Sequence, residues 1–120
     1  AGGAPVAMRT DETPSGRAAG GGRGDGRVVH ADDPGDVAGA VLVTQVLAPT
    51  LAPRVPVLAG LVSETGSSLS HLAIVAREHG VPTVVAVDGA LERFPVGSHV
   101  LVDGTTGQVR RLDEEREGRP

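Results

Sequence analysis

Glycine and proline interrupt this chain too often for a helical bundle. Eighteen glycines and nine prolines are spread through 120 residues. Between them lie short apolar runs made almost wholly of Val, Leu, Ile and Ala, which suit strands joined by tight turns. Phe94 is the single aromatic residue, so the core must be aliphatic, with valine dominant. The length gives room for one domain. The absence of cysteine excludes a disulfide framework and a thiolate metal site.

Residues 1–25 are rich in Gly, Ala, Arg, Pro and acidic residues, and read as a flexible lead-in or linker. A folded domain is expected over 26–112, and a charged, frayed tail over 113–120. Arg27–His30, Val41–Thr44, Val57–Val62 and Thr83–Val87 are strand candidates. Val100–Val102, the turn Asp103–Gly107 and Gln108–Arg110 read as a hairpin. Ala48–Arg54 contains two prolines and allows at most a short helical turn, and Gly89–Phe94 allows about one more. Ser70–His79 has the length of a three-turn helix, with Gly80 at the C′ position and Pro82 barring continuation. Leu72–Ala76 is apolar throughout and also fits a buried strand. The preceding serines, the Ala-Arg-Glu content and the Gly-x-Pro stop favour a helix. The sum is a compact mixed α/β domain.

The net charge of −4 provides no basic footprint for nucleic acid, and no aromatic side chains stand ready to stack on bases. No apolar run approaches a membrane span. A soluble, cytoplasmic protein without a membrane partner is the expectation. The chain starts at Ala1 without a Met or a signal-like pattern, and reads as part of a longer protein. The charged ending leans toward a domain that closes its parent chain.

The chemistry concentrates at His71, which follows the small, hydroxyl-rich stretch Gly66-Ser67-Ser68-Leu69-Ser70. At the start of a helix, its surroundings include unpaired N–H groups and the positive end of the helix dipole. A group held there is most naturally anionic, and phosphate is the commonest candidate. A nucleophilic imidazole must be neutral, and the positive helix end disfavours the imidazolium. Once phosphorylated, the same residue carries negative charge that this helix end stabilises.

Ser70 serves as a helix cap, as a phosphate ligand or as both, with capping preferred. Arg77 either meets the phosphate or a partner's substrate, or forms a structural ion pair with Glu64 or an acidic loop; the ion pair is preferred. His30, His79 and His99 read as structural, His79 as a helix C-terminal residue, and no metal site is expected. Asp32, Asp33 and Asp36 surround Pro34-Gly35 and read as a solvated turn rather than a calcium loop.

The pattern Thr65-Gly66 … Ser70-His71-x-Ala73-Ile74-Val75-Ala76-Arg77-Glu78-x-Gly80-Val81-Pro82, followed by Val100-x-Val102-Asp103-Gly104-x-x-Gly107-x-Val109, resembles a known family. It is similar to the mobile (swivelling) phosphohistidine domain of the phosphoenolpyruvate-utilising enzymes. These include phosphoenolpyruvate synthase, pyruvate phosphate dikinase, enzyme I of the sugar phosphotransferase system and rifampin phosphotransferase. The resemblance implies a swivelling β/β/α domain with a central helix, and places His71 where the family carries its phosphorylated histidine. Gly66, Ser67, Ser68, Ser70 and Arg77 would then bind or support the phosphate.

The resemblance also implies partners. An ATP-grasp-type nucleotide-binding domain and an acceptor or phosphoenolpyruvate/pyruvate-binding domain would belong to the same parent. Mg²⁺ with ATP, or phosphoenolpyruvate, would bind those neighbours, and no cofactor would bind this domain. The chain has no lysine and no Gly-rich nucleotide loop, so turnover by this domain alone is not expected. The family usually has two consecutive glycines here, whereas Ser67 follows Gly66. In a left-handed conformation Ser67 costs roughly 1 kcal/mol; in an allowed one it adds a hydroxyl to the site. Ser68-Leu69 stands where phosphoenolpyruvate-using members often have Arg-Thr, which leans toward the rifampin-phosphotransferase-like branch. Two alternatives are a catalytically silent interaction or regulatory module and, more weakly, a self-standing carrier protein.

Overall fold

One strand belongs to two sheets. The computed structural model describes residues 16–31, 36–66 and 70–112. Its strands in chain order are β1 (Arg17–Ala18), β2 (Arg23–His30), β3 (Val41–Thr44), β4 (Gly60–Ser63), β5 (Thr83–Val85), β6 (His99–Asp103) and β7 (Gln108–Arg111). Helix α1 is His71–Glu78 and α2 is Ala90–Arg93. The first part of β2 pairs antiparallel with β6, from Arg23 opposite Asp103 to Arg27 opposite His99. The last part pairs parallel with β3, from Val28 opposite Val41 to His30 opposite Val43. The full order is β1-β5-β4-β3-β2-β6-β7, with β3, β4 and β5 parallel and both ends antiparallel.

The transfer of β2 from one sheet to the other creates three layers. Val41, Val43, Val62 and Val84 point to one side, where Val100, Val102 and Val109 of the β6–β7 hairpin and Phe94 beside α2 meet them. Leu42 and Leu61 point to the other side, against Leu72, Ala76 and Val81 at α1 and against Leu51 and Val55. Parallel strands covered on both faces need apolar residues at nearly every position, and β3, β4 and β5 are buried throughout. The layers therefore run β/β/α, the mixed α/β architecture expected from the sequence.

Four boundaries differ from the sequence reading. The sheet already begins within the expected 1–25 lead-in, at β1 and at Arg23 of β2. Glycine weakens a strand locally, but a Cβ on Gly24 would stand 2.5 Å from the Ala59 carbonyl oxygen, and one on Gly26 2.5 Å from that of Gly39. These glycines let the two sheets close on each other. The proline-rich stretch forms a nine-residue 3₁₀ segment, Pro49–Val57, rather than one short turn. Proline cannot donate into an α-helical ladder; burial of Leu51 and Val55 holds the segment against the sheet. Val57 belongs to that segment, so β4 starts only at Gly60. Strand β5 stops at Val85 because Ala86 takes φ +61°, outside the extended region.

Candidate functional site

Helix α1 is built from its ends. Ser70 is its N-cap, with φ −65° and ψ 155°. The Ser70 hydroxyl accepts the Ala73 N–H at 3.4 Å, and its carbonyl accepts the Ile74 N–H at 3.1 Å. Helix geometry leaves the N–H groups of His71 and Leu72 without intrahelical acceptors. At the other end, the Val81 N–H donates to the Ala76 carbonyl and the Gly80 N–H to that of Arg77. With Gly80 at φ +72°, this is a Schellman termination, as the Gly-x-Pro spacing suggests. Leu72, Ala73 and Ala76 are buried, whereas His71 at the first helical position is exposed. The imidazole thus stands in solvent at the positive end of a firmly packed helix.

In the chain, α1 follows the carboxyl end of β4, and the carboxyl ends of strands are where open α/β sheets commonly place their ligands. The buried Ser63 hydroxyl donates to the Thr65 carbonyl at 2.6 Å and to the Gln45 carbonyl at 3.3 Å. The Thr65 hydroxyl donates to the Gln45 carbonyl at 2.7 Å, and the Glu64 N–H to the Thr44 carbonyl at 2.9 Å. Gly66 then turns the chain with φ +103°. Its absent Cβ would meet Leu47 only at ordinary contact distance, 3.6 Å, so backbone conformation rather than crowding demands glycine. Gly66→Ala is expected to lose about 1–2 kcal/mol of stability, read as a lowered urea midpoint at unchanged slope. Ser67 and Ser68 lie outside the described residues.

Arg77 lies on the same helix, about 9 Å further along its axis and on a different face from His71. Its stem crosses Gly20, whose Cβ would lie 2.7 Å from the Arg77 Cδ. The ion pair with Glu64 that the sequence reading offered does not form. The Glu64 carboxylate instead accepts the Leu91 N–H at 2.9 Å. His79 is the C-cap of α1. His30 Nε2 is 2.9 Å from the Phe94 carbonyl, and His99 Nε2 is 2.6 Å from an Asp25 carboxylate oxygen. Neither partner was legible in the sequence, because 64 and 74 residues separate the pairs. Asp36 accepts the Ala38 N–H at 3.1 Å; Asp32 and Asp33 lie outside the described residues.

Asp103 opens the β6–β7 turn. Burial pushes its carboxyl pKa up. The Thr106 and Thr105 N–H groups, the Thr106 hydroxyl and the Arg23 guanidinium outweigh that and hold it below the ordinary 3.8. The two N–H groups stand 3.1 and 3.0 Å from Oδ1. A lowered folded-state value stabilises the fold above the unfolded pKa, and that contribution disappears as pH falls through the folded one. Asp103→Asn is therefore expected to be less stable than the parent at pH 7. The gap should close as pH drops below 3.8, as followed by urea unfolding across that range.

A mixed sheet in β/β/α layers, with a solvent-facing histidine on a capped central helix, defines a class that comparison with known proteins identifies. Residues 36–107 match the family model of the PEP-utilising enzyme, mobile domain, and the chain belongs to this family. Over 75 residues it is 41% identical to the rifampicin phosphotransferase of Streptomyces sviceus, covering 62% of this chain and 9% of that protein. Over 92 residues it is 39% identical to the phosphoenolpyruvate synthase of Pyrococcus furiosus, covering 73% of this chain and 11% of that protein. The solved N-terminal domain of Enzyme 1-Nitrogen superposes with a TM-score of 0.58 at 27% identity, over 68% of this chain and 35% of that one. The chain thus spans roughly a tenth of the length of these curated relatives. The family resemblance drawn from the His71 pattern and the Asp103-Gly104 hairpin was correct.

Proposed function

We propose that this chain is the phosphoryl-carrier domain of a multidomain phosphotransferase and that His71 is the residue phosphorylated. One observation carries the reading: in a member of the mobile-domain family, the exposed histidine occupies the first position of the capped helix α1. A ring nitrogen lone pair attacks phosphorus, and the P–O bond to the donor breaks with its electron pair left on the donor oxygen. The helix N-terminus then faces a phosphoimidazole whose negative charge it favours. In the second transfer an acceptor oxygen takes the phosphoryl group and the imidazole leaves. One transfer between distant sites becomes two short ones.

Mg²⁺ and ATP, or phosphoenolpyruvate, serve as donors on neighbouring domains, the first of ATP-grasp type. Pyruvate or a small-molecule hydroxyl serves as acceptor. Ser70 holds the helix start, and Gly66, Ser67 and Ser68 are the residues offered to bind or support the phosphate. Arg77, far from His71 on its helix, is better placed for a neighbouring domain than for the carried group. The reaction belongs in the cytoplasm, where both donors are found. This domain alone is not expected to turn over substrate.

The test is intact-mass analysis of the full-length protein after incubation with Mg-ATP and, separately, with phosphoenolpyruvate. Gain of one phosphoryl group, labile to acid and stable to alkali, is the expected result. A folded protein with intact donor sites that takes up none from either donor would overturn the carrier reading in favour of a silent interaction module.

A further inference from the structure

Leu47 lies on the short loop after β3, and its half-buried side chain meets structure that both precedes and follows His71 in the chain. On the preceding side it covers Gly66: a Cβ on that glycine would lie 3.6 Å from the Leu47 Cδ1. On the following side it packs against the two clusters into which α1 buries its inner face. One cluster contains Leu72 and Ala76, the other Ala73 with Ala19 and Val85. Among the described residues, no other partly buried apolar side chain packs against both. The loop that carries Leu47 is itself braced. The Val46 carbonyl accepts the Thr44 hydroxyl at 3.0 Å and the Ala48 N–H at 2.9 Å. The Gln45 carbonyl accepts the Thr65 N–H and hydroxyl at 3.1 and 2.7 Å.

The two ends of α1 are seated differently. The Ser70 cap is internal to the helix: it closes the N-terminus but does not fasten it to the sheet. At the other end, the Val81 N–H on the Ala76 carbonyl and the Gly80 N–H on that of Arg77 lead the main chain directly into Pro82 and β5. The first turn is seated by the buried side chains of Leu72 and Ala73, the two residues that follow His71. We infer that Leu47 is a positioning residue for His71: wedged between Gly66 and the clusters that seat Leu72 and Ala73, it sets where the first turn of α1, and with it the imidazole, stands for phosphoryl transfer. The role rests on the phosphoryl-carrier reading. Its mechanism is filled volume. A shorter side chain leaves a gap beside the first turn that the surroundings close only in part. The helix start then shifts or loosens while the C-terminal end stays in place. Phosphoryl transfer is sensitive to that shift, since a misplacement of about 1 Å can cost about 100-fold in rate.

The experiment measures single-turnover phosphoryl uptake at His71 in the full-length protein, using whichever of Mg-ATP or phosphoenolpyruvate labels it. Each variant is measured at a temperature where its unfolding curve shows it folded. Leu47→Ala is expected to slow uptake at saturating donor at least about tenfold and to leave the half-saturating donor concentration unchanged. Hydrogen–deuterium exchange should speed up at Ala73 and Ile74, in the first turns of α1, more than at His79 and Val81. Leu47→Met, which keeps the volume, should retain most of the rate. Leu47→Val, one carbon smaller, should fall between, and serves the same comparison if Leu47→Ala does not fold. Val109→Ala removes buried volume on the far side of the sheet from α1 and controls for lost stability; its uptake should stay near wild type. A wild-type rate in Leu47→Ala would overturn the role and leave the carrier reading standing. So would a loss in Val109→Ala as deep as in Leu47→Ala, or a loss in Leu47→Met as deep as that. A wild type that is never labelled at His71 overturns both.

Discussion

His71→Ala is expected to abolish phosphoryl uptake by the full-length protein while changing the stability of the fold by no more than about 0.5 kcal/mol. The two halves of this result have separate causes. The imidazole is exposed and contributes nothing to the core that Leu72, Ala73 and Ala76 form with the sheet and the 3₁₀ segment. The cap belongs to Ser70 and survives the substitution. Among the described residues, no other histidine stands at this helix start. His79 lies at the far end of the same helix, and His30 and His99 are engaged by Phe94 and Asp25. Uptake and unfolding measured on the same preparation decide the matter. Residual uptake above a tenth of the wild-type level would move the phosphorylated group elsewhere, and a large loss of stability would mean that His71 is a structural residue.

That separation was partly visible in the sequence. Ser70, His71, Gly80 and Pro82 act through local rules of helix capping and termination, and the helix spans His71–Glu78 as those rules require. The β6–β7 hairpin and β3 were legible for the same reason, since alternation and turn residues lie within a few positions of each other. Where the reading failed, distant contacts decided. The glycine-rich segment around Arg23 becomes strand because the second sheet closes over it. Pro49–Val57 becomes a long 3₁₀ segment because Leu51 and Val55 are buried under the helix layer. Glu64, offered together with an acidic loop as an ion-pair partner for Arg77, bonds a backbone N–H on α2 instead. Nearest-neighbour logic finds the helix ends but not the contacts made across the sheet.

Gly104→Ala is expected to be among the most damaging single-methyl changes in the fold, costing about 3 kcal/mol or more. In the sequence, Asp103-Gly104 reads simply as a turn, which suggests that Gly104 is there for its backbone freedom. The structure assigns that role to Gly107, which has φ +85°. Gly104 has no positive φ; it is glycine because three segments meet at its Cα. A Cβ there would lie 1.9 Å from the Gly20 carbonyl oxygen and 2.8 Å from the Thr83 nitrogen, both backbone atoms that no side-chain rotation can clear. The methyl group must therefore displace main chain. Three hydrogen bonds converge on this point: Gly20 N–H to the Gly104 carbonyl, Gly104 N–H to that of Gly22, and Thr83 N–H to that of Gly20. They tie the hairpin turn to the glycine-rich segment before β2, and that segment to the start of β5. Moving any one backbone loosens the others, so the overpacking cost adds to lost hydrogen bonds, each about 0.5–1.5 kcal/mol. Thr105→Ala, one residue on and exposed, should stay within about 0.5 kcal/mol of the parent. Urea unfolding of both variants is the check. Similar midpoints would mean that the hairpin turn moves away from Gly20 at little cost and that the closure between the sheets does not depend on this contact.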